Sequence, residues 1–152
     1  MKKLIVIALA VVMALSVIAF AACGGEKTYE GEYSYAHPYA PDSGAKYGAK
    51  VKVTVKGGVI LSVAVEDDTD TFFNLTSSWD DKATWQNGQA AFLKSFEGLK
   101  VADIQAIKVA CADNGVPSGI TGAPSTLKVV TGATQSSGRV ILAVQNALKD
   151  VK

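Results

Sequence analysis

Histidine and cysteine are nearly missing from this chain. Among 152 residues there is one histidine, His37, and there are two cysteines, Cys23 and Cys111. That scarcity excludes whole classes of chemistry. With no Cys-x-x-Cys pair, a structural zinc site, an iron–sulfur cluster and c-type haem attachment have no ligand set. The lone His37 precedes Pro38 in a loop-like stretch, and any Ser–His relay would have to be built around it alone, so hydrolase chemistry has little to rest on. Neither G-x-G-x-x-G nor a P-loop occurs. Charge of one sign is lacking too. Fifteen basic and 14 acidic residues leave a formal +1, which excludes the basic footprint of a nucleic-acid binder. Glu66-Asp67-Asp68-Thr69-Asp70 is acidic, but it lacks the glycine and distal glutamate of an EF-hand loop and reads as a solvated loop.

One long apolar run is present, at the N-terminus. Met1-Lys2-Lys3 is a short positive start, Leu4 to Phe20 is almost wholly apolar, and Ala21-Ala22-Cys23-Gly24-Gly25 follows. A membrane-spanning helix needs about 20 apolar residues, slightly more than this run supplies. Small residues then close it, as at a secretory cleavage site. A cysteine placed directly after them is similar to a bacterial lipoprotein signal, in which Cys23 is lipidated and becomes the mature N-terminus. Phe20 departs from that pattern, and an uncleaved anchor helix is the alternative. Either reading puts the domain outside the cytoplasmic membrane, on its outer face. We therefore expect a signal peptide over 1–22, a tether over 23–28 and one domain over 29–152. Removing residues 1–22 from 152 leaves 130, enough for a single core. With Cys23 lipidated, Cys111 is the remaining thiol; it lies in the apolar stretch Ile107 to Ala112, which predicts a buried packing role.

The patterning predicts an α+β domain: an antiparallel sheet with a central hairpin, packed by two or three helices including a C-terminal amphipathic helix. Tyr29 to Tyr35 alternates as a strand does. Residues 37–48 read as loop. Ala49 to Lys56 sets Val51, Val53 and Val55 against Lys50, Lys52, Thr54 and Lys56; Gly57-Gly58 is a turn signal; Val59, Leu61, Val63 and Val65 then alternate. Glu66 to Gln86 reads as irregular. Gln89 to Glu97 carries Phe92, Leu93 and Phe96 at helical spacing, with Gly98 as the stop. Val101 to Ala112 is ambiguous: Val101, Ile104 and Lys108 fit a helix, whereas Ile107, Val109 and Cys111 fit a strand. Asp113 to Pro124 reads as a Gly/Pro loop and Ser125 to Val130 as a short strand. Val140, Val144, Ala147, Leu148 and Val151, with Ile141 beside them, form the stripe of a terminal helix, capped by Ser136 or Ser137. For Trp79, Trp85, Tyr33, Tyr35 and Tyr39, packing is the expected role ahead of stacking on a planar ligand.

The stretch with chemical character is Thr131-Gly132-Ala133-Thr134-Gln135-Ser136-Ser137-Gly138. It runs into the last helix. A helix start leaves backbone N–H groups unpaired and carries partial positive charge, so it can hold a phosphate. Gly132 permits close backbone approach, Ala133 adds little bulk, and Ser136 and Ser137 offer hydroxyls. Arg139 either adds a charge-assisted contact or points to solvent.

This stretch, with Ala143-Val144, Ala147-Leu148, the Gly57-Gly58 hairpin and Phe96-Glu97-Gly98-Leu99, resembles the FMN-binding domain family. Its members include flavin-carrying subunits of membrane electron-transfer complexes and bacterial surface lipoproteins. The resemblance implies FMN as cofactor, with Thr131, Gly132, Ala133, Thr134, Ser136 and Ser137 around it. It implies a phosphoester from Thr134 to the flavin, made from FAD by a separate flavin transferase, and electron exchange with a membrane donor. Such a protein is a redox carrier rather than an enzyme with its own substrate. One position departs: Lys128 stands where the flavinylation motif has an aspartate, six residues before the threonine. Covalent flavin, FMN bound without a covalent bond, and a ligand-binding or sensing lipoprotein that has lost flavinylation all stay open.

Overall fold

The computed structural model describes residues 25–36, 42, 44, 46–66 and 82–151. Three strands form one antiparallel sheet in the order β1 (Lys27–Ala36), β2 (Lys46–Lys56), β3 (Val59–Val65). Helix α1 (Lys82–Lys94), the short α2 (Val101–Gln105), a two-stranded ladder of β4 (Lys108–Cys111) and β5 (Pro117–Thr121), and α3 (Thr134–Leu148) complete the chain. The α+β architecture with a hairpin and a C-terminal helix is the one the patterning predicts.

The hairpin forms because its side chains alternate in character. Val51, Val53 and Val55 are buried while Lys52 and Lys56 are exposed. Gly57 and Gly58 take φ of 57° and 76°, the left-handed pair that a two-residue turn requires. On β3 the expected alternation fails. Register slips between Thr54 and Val55, so Val55 faces Ile60 but Thr54 faces Ser62. Leu61 is the extra residue of a bulge and is left 37% exposed, while Ile60 and Val63 point into the core. The pattern broke because a bulge adds one residue to a period of two.

One sheet face carries the core and the other is wet. On the wet face Lys52 pairs with Glu66 and, at 3.7 Å, with Glu30. On the inner face α3 covers β1 and β2, and α1 covers β3. From α3 come Val140, Ile141, Val144, Ala147 and Leu148, all buried; from α1 and its closing turn come Trp85, Phe92 and Phe96. Trp85 thus packs inside, as expected. Gln145 ties α2 to α3, its Nε2 donating to the carbonyls of Ile104 and Ile107 at 2.8 Å each.

Several local expectations are corrected. Strand β1 begins at Lys27, inside the stretch read as tether, and β2 begins at Lys46, inside the stretch read as loop. Helix α1 begins at Lys82, where an irregular stretch was expected. Gly88 lies inside α1, where a Cβ would stand 2.6 Å from Val130 Cγ1, so the glycine lets the 128–132 segment lie on the helix. The ambiguous 101–112 stretch is both helix and strand, divided by Ala106 and Ile107. Part of the Asp113–Pro124 loop is β5. Residues 125–130 form no strand; a turn over Ser125 and Thr126 leads into an irregular run in which the Val129 amide donates to the Leu127 carbonyl at 3.0 Å. Cys111 is exposed, because only the first part of its apolar stretch reaches the core: Ile107 is buried and β4 alternates outward. The leader over 1–22, Cys23, His37, Tyr39, Trp79 and most of the acidic run lie outside the described residues.

Candidate functional site

The approach to α3 is built along α1. The Lys128 amide donates to Ser95 Oγ at 2.9 Å, at the lower end of α1. Val130 meets Gly88 in the middle of that helix, and Gly132 lies against Thr84 near its start. The chain therefore climbs α1 from bottom to top before entering α3. At the top Gly132 adopts φ 81°, which a side-chain-bearing residue takes only under strain. That turn swings the chain into the helix. The Ser137 amide already donates to the Ala133 carbonyl at 3.0 Å, closing the first helical turn.

The cap is therefore Ala133 and not a serine, and among the described residues no side chain caps the start of α3. Thr134 is its first residue and is half-buried; Thr131 and Gly132 are exposed; Ala133 is buried. The two serines fall within the first turn and face the protein. Ser137 is fully buried, and its Oγ accepts the Val130 N–H at 3.3 Å. Ser136 is buried, and its Oγ accepts a hydrogen bond from Arg139 Nη2 at 2.9 Å. The structure thus groups Thr131, Gly132 and Thr134 at an open helix start and assigns Ser136 and Ser137 to holding that start in place.

Arg139 does not point to solvent. It is 6% exposed, with its guanidinium carbon 5.9 Å from the centre of the Tyr47 ring. Burial pushes its pKa down, and the hydroxyl-bearing rings of Tyr35 and Tyr47 act in the opposite direction. Tyr47 in turn stacks on Tyr35, centroids 6.3 Å apart, and Tyr35 tilts against Tyr33 at 6.2 Å. This tyrosine–arginine cluster joins the sheet to the first turns of α3. It was missed in the sequence because its members come from three separate elements. From Thr84 to Ser95 the helix and its closing turn rise roughly 16 Å, so the backbone of Lys128 sits well below the motif threonine.

Tyr33 supplies a pH prediction. Its hydroxyl donates to the Gly115 carbonyl at 2.6 Å and lies 3.5 Å from Cys111 Sγ. Burial, then the contact with Cys111, pushes its pKa up to about 12. The tyrosinate is disfavoured in the fold relative to the open chain, where tyrosine titrates near 10. Tyr33 therefore leaves stability unchanged below pH ~10 and erodes it as pH rises through about 12. Denaturant midpoints across this alkaline range should fall for the parent and fall less for Tyr33→Phe. Equal slopes would rule Tyr33 out as the source.

Comparison with protein-family models, with curated proteins and with solved structures finds no match. Among the described residues no group of three His, Cys, Asp or Glu side chains is placed to hold a metal ion. No helix among them is long and apolar enough to cross a membrane.

Proposed function

We propose that this chain is a membrane-anchored extracytoplasmic FMN-binding electron-transfer protein, with the phosphate end of the flavin at the start of α3. One observation carries the reading. The Thr131–Thr134 loop delivers a helix start that no side chain caps among the described residues, through a glycine at φ 81°, with a half-buried threonine as its first helical residue. First-turn N–H groups and the helix dipole together suit a phosphate. Thr134 Oγ1 is the atom that would carry a phosphoester, formed from FAD by a flavin transferase acting on this protein. The donor set fits the phosphate end of FMN. Among the described residues it supplies no platform for the ring, since Trp85 is fully buried and Tyr47 is already covered by Arg139. Bound flavin supplies one- and two-electron chemistry; the chain supplies attachment, orientation and electrostatics. Anchored through Cys23 on the outer face of the membrane, the carrier stays close to a membrane donor.

A second reading has its own observation. Lys128 replaces an acid of the flavinylation motif, and both serine hydroxyls are engaged internally. That combination favours a ligand-binding or sensing lipoprotein that no longer carries covalent flavin. Co-production with a flavin transferase followed by a denaturing gel separates the two. The flavin reading expects a fluorescent band that Thr134→Ala abolishes. A band that persists in Thr134→Ala moves the attachment to another residue, with Thr131 next. A dark band removes the covalent bond, and failure of the native protein to bind added FMN then removes the flavin altogether.

A further inference from the structure

We infer that the turn end of the three-stranded sheet rests against the phospholipid surface, and that the Thr131–Thr134 loop is held at the opposite end, facing the aqueous phase. The inference rests on the lipid attachment at Cys23 proposed above. It does not depend on flavin.

The leash is very short. Only Gly24, Gly25 and Glu26 separate Cys23 from Lys27, the first residue of β1. Fully extended, the links from Cys23 to Lys27 reach about 14 Å. Strand β1 itself, at about 3.3 Å per residue, is more than twice as long. The domain therefore cannot tumble freely about its anchor, and the Lys27 end stays near the headgroups.

Strand register identifies what else lies at that end. Lys27 faces Val55 across the β1–β2 ladder, one residue from Lys56 and the Gly57-Gly58 turn. Lys56 faces Val59, and Val59 bridges to Lys100. The Val101 amide donates to the Gly58 carbonyl at 3.0 Å, fixing the α2 start to the same turn. Lys27, Lys56 and Lys100 are all exposed there, with Glu26, Glu97 and Asp103 among them, the Asp103 carboxylate accepting the Lys100 amide at 3.3 Å. Lysine stems are long enough to set their ammonium groups among lipid phosphates.

Two independent elements measure the distance to the motif. Along the sheet, Lys27 to Tyr35 spans roughly 27 Å. Tyr35 pairs with Tyr47, Tyr47 lies under Arg139, and Thr134 is a further turn beyond. Helix α3 runs against β1: Asn146 Nδ2 bonds the Glu32 carbonyl at 2.7 Å, and Arg139 reaches the Tyr47 end. Along α1, Thr84 stands beside Gly132 at the top. At the bottom the Gly98 amide bonds the Ile60 carbonyl, close to the turn, at 2.9 Å. That helix spans about 20 Å. Both elements put the loop far from the tethered end, so whatever engages the loop meets it in the aqueous phase, above the headgroups.

The test uses the full lipoprotein in liposomes. A fluorophore is placed on Lys56→Cys or on Gln135→Cys, each in a Cys111→Ser background, and the vesicles contain a lipid with a nitroxide on its headgroup. Residue 135 is exposed in the first turn of α3. Quenching should be several-fold stronger at 56 than at 135. A flexible insert of about 12 residues after Gly25 should erase most of that difference by lengthening the leash. Equal quenching at the two sites without the insert, or stronger quenching at 135, overturns the orientation. Mass spectrometry showing no acyl groups on Cys23 overturns its premise. Neither outcome bears on flavin, which the denaturing gel reads separately.

Discussion

Gly31→Val should leave the domain largely unfolded at room temperature, and Gly31→Ala should cost at least about 3 kcal/mol in urea denaturation, at the upper end of overpacking penalties. Gly31 lies in β1 directly beneath α3. A Cβ there runs into the Ala143 carbonyl oxygen and comes within 2.5 Å of the Ala147 amide nitrogen and 2.6 Å of the Ala147 Cβ. Two of these three atoms are helix backbone, which no rotamer change can move. Intrinsic preference points the other way, since replacing glycine inside a strand would ordinarily gain roughly 0.5–1 kcal/mol. The steric term is several times larger and decides the sign. Because a domain of this size has only about 5–15 kcal/mol to lose, valine is expected to exhaust it. Ala147→Gly should rescue Gly31→Ala only in part, because the backbone contacts remain. Wild-type stability in Gly31→Ala would show that α3 does not approach β1 this closely.

Phe92→Ala should destabilise by about 3–5 kcal/mol, the range for emptying a large aromatic site. Phe92 is fully buried on α1. Its ring meets Trp85 at 5.9 Å and Phe96 at 5.1 Å, both in edge-to-face arrangements. Truncation loses the buried area and two aromatic contacts of about 0.5–1.5 kcal/mol each. Phe92→Leu keeps most of the volume and should cost well under half as much. The readout is the shift of the denaturant midpoint at constant slope. Equal effects of alanine and leucine would show that the site collapses around the smaller residue. Loosening this cluster also loosens the support beneath Gly132 and Val130, which lie along the same helix.

Legibility in the sequence followed the range of the interaction. The hairpin was readable because alternation in Val51 to Lys56 and the Gly57-Gly58 turn are local and agree with each other. The terminal helix was readable from its apolar stripe. The bulge at Leu61 was not, since nothing in Val59 to Val65 marks where one residue is extra. Glycine costs a helix interior about 1 kcal/mol relative to alanine, yet Gly88 and Gly138 are both helical. Both sit inside helices because another segment needs the space: Val130 against Gly88, and Pro117 against Gly138, where a Cβ would be 2.6 Å from Pro117 Cβ. Cys111 was expected inside because apolar neighbours were counted, yet a two-stranded ladder buries only some of its residues.

At the candidate site the division is the same. Composition alone limited what folding could assemble: with one histidine, two cysteines and a formal charge of +1, few thiolate or imidazole ligands and no excess of positive charge are there to be gathered. Residue order alone marked Thr131 to Ser137 as a glycine-containing entry into a helix. Which of those groups face outward was decided by tertiary structure. Ser136 and Ser137 turn inward to Arg139 and Val130, and Thr131, Gly132 and Thr134 remain accessible. The physical reason is that a hydroxyl's partner is chosen by what packs around it. Those neighbours come from strands and helices far away in sequence, whose approach is set by small residues at their crossings rather than by any local pattern.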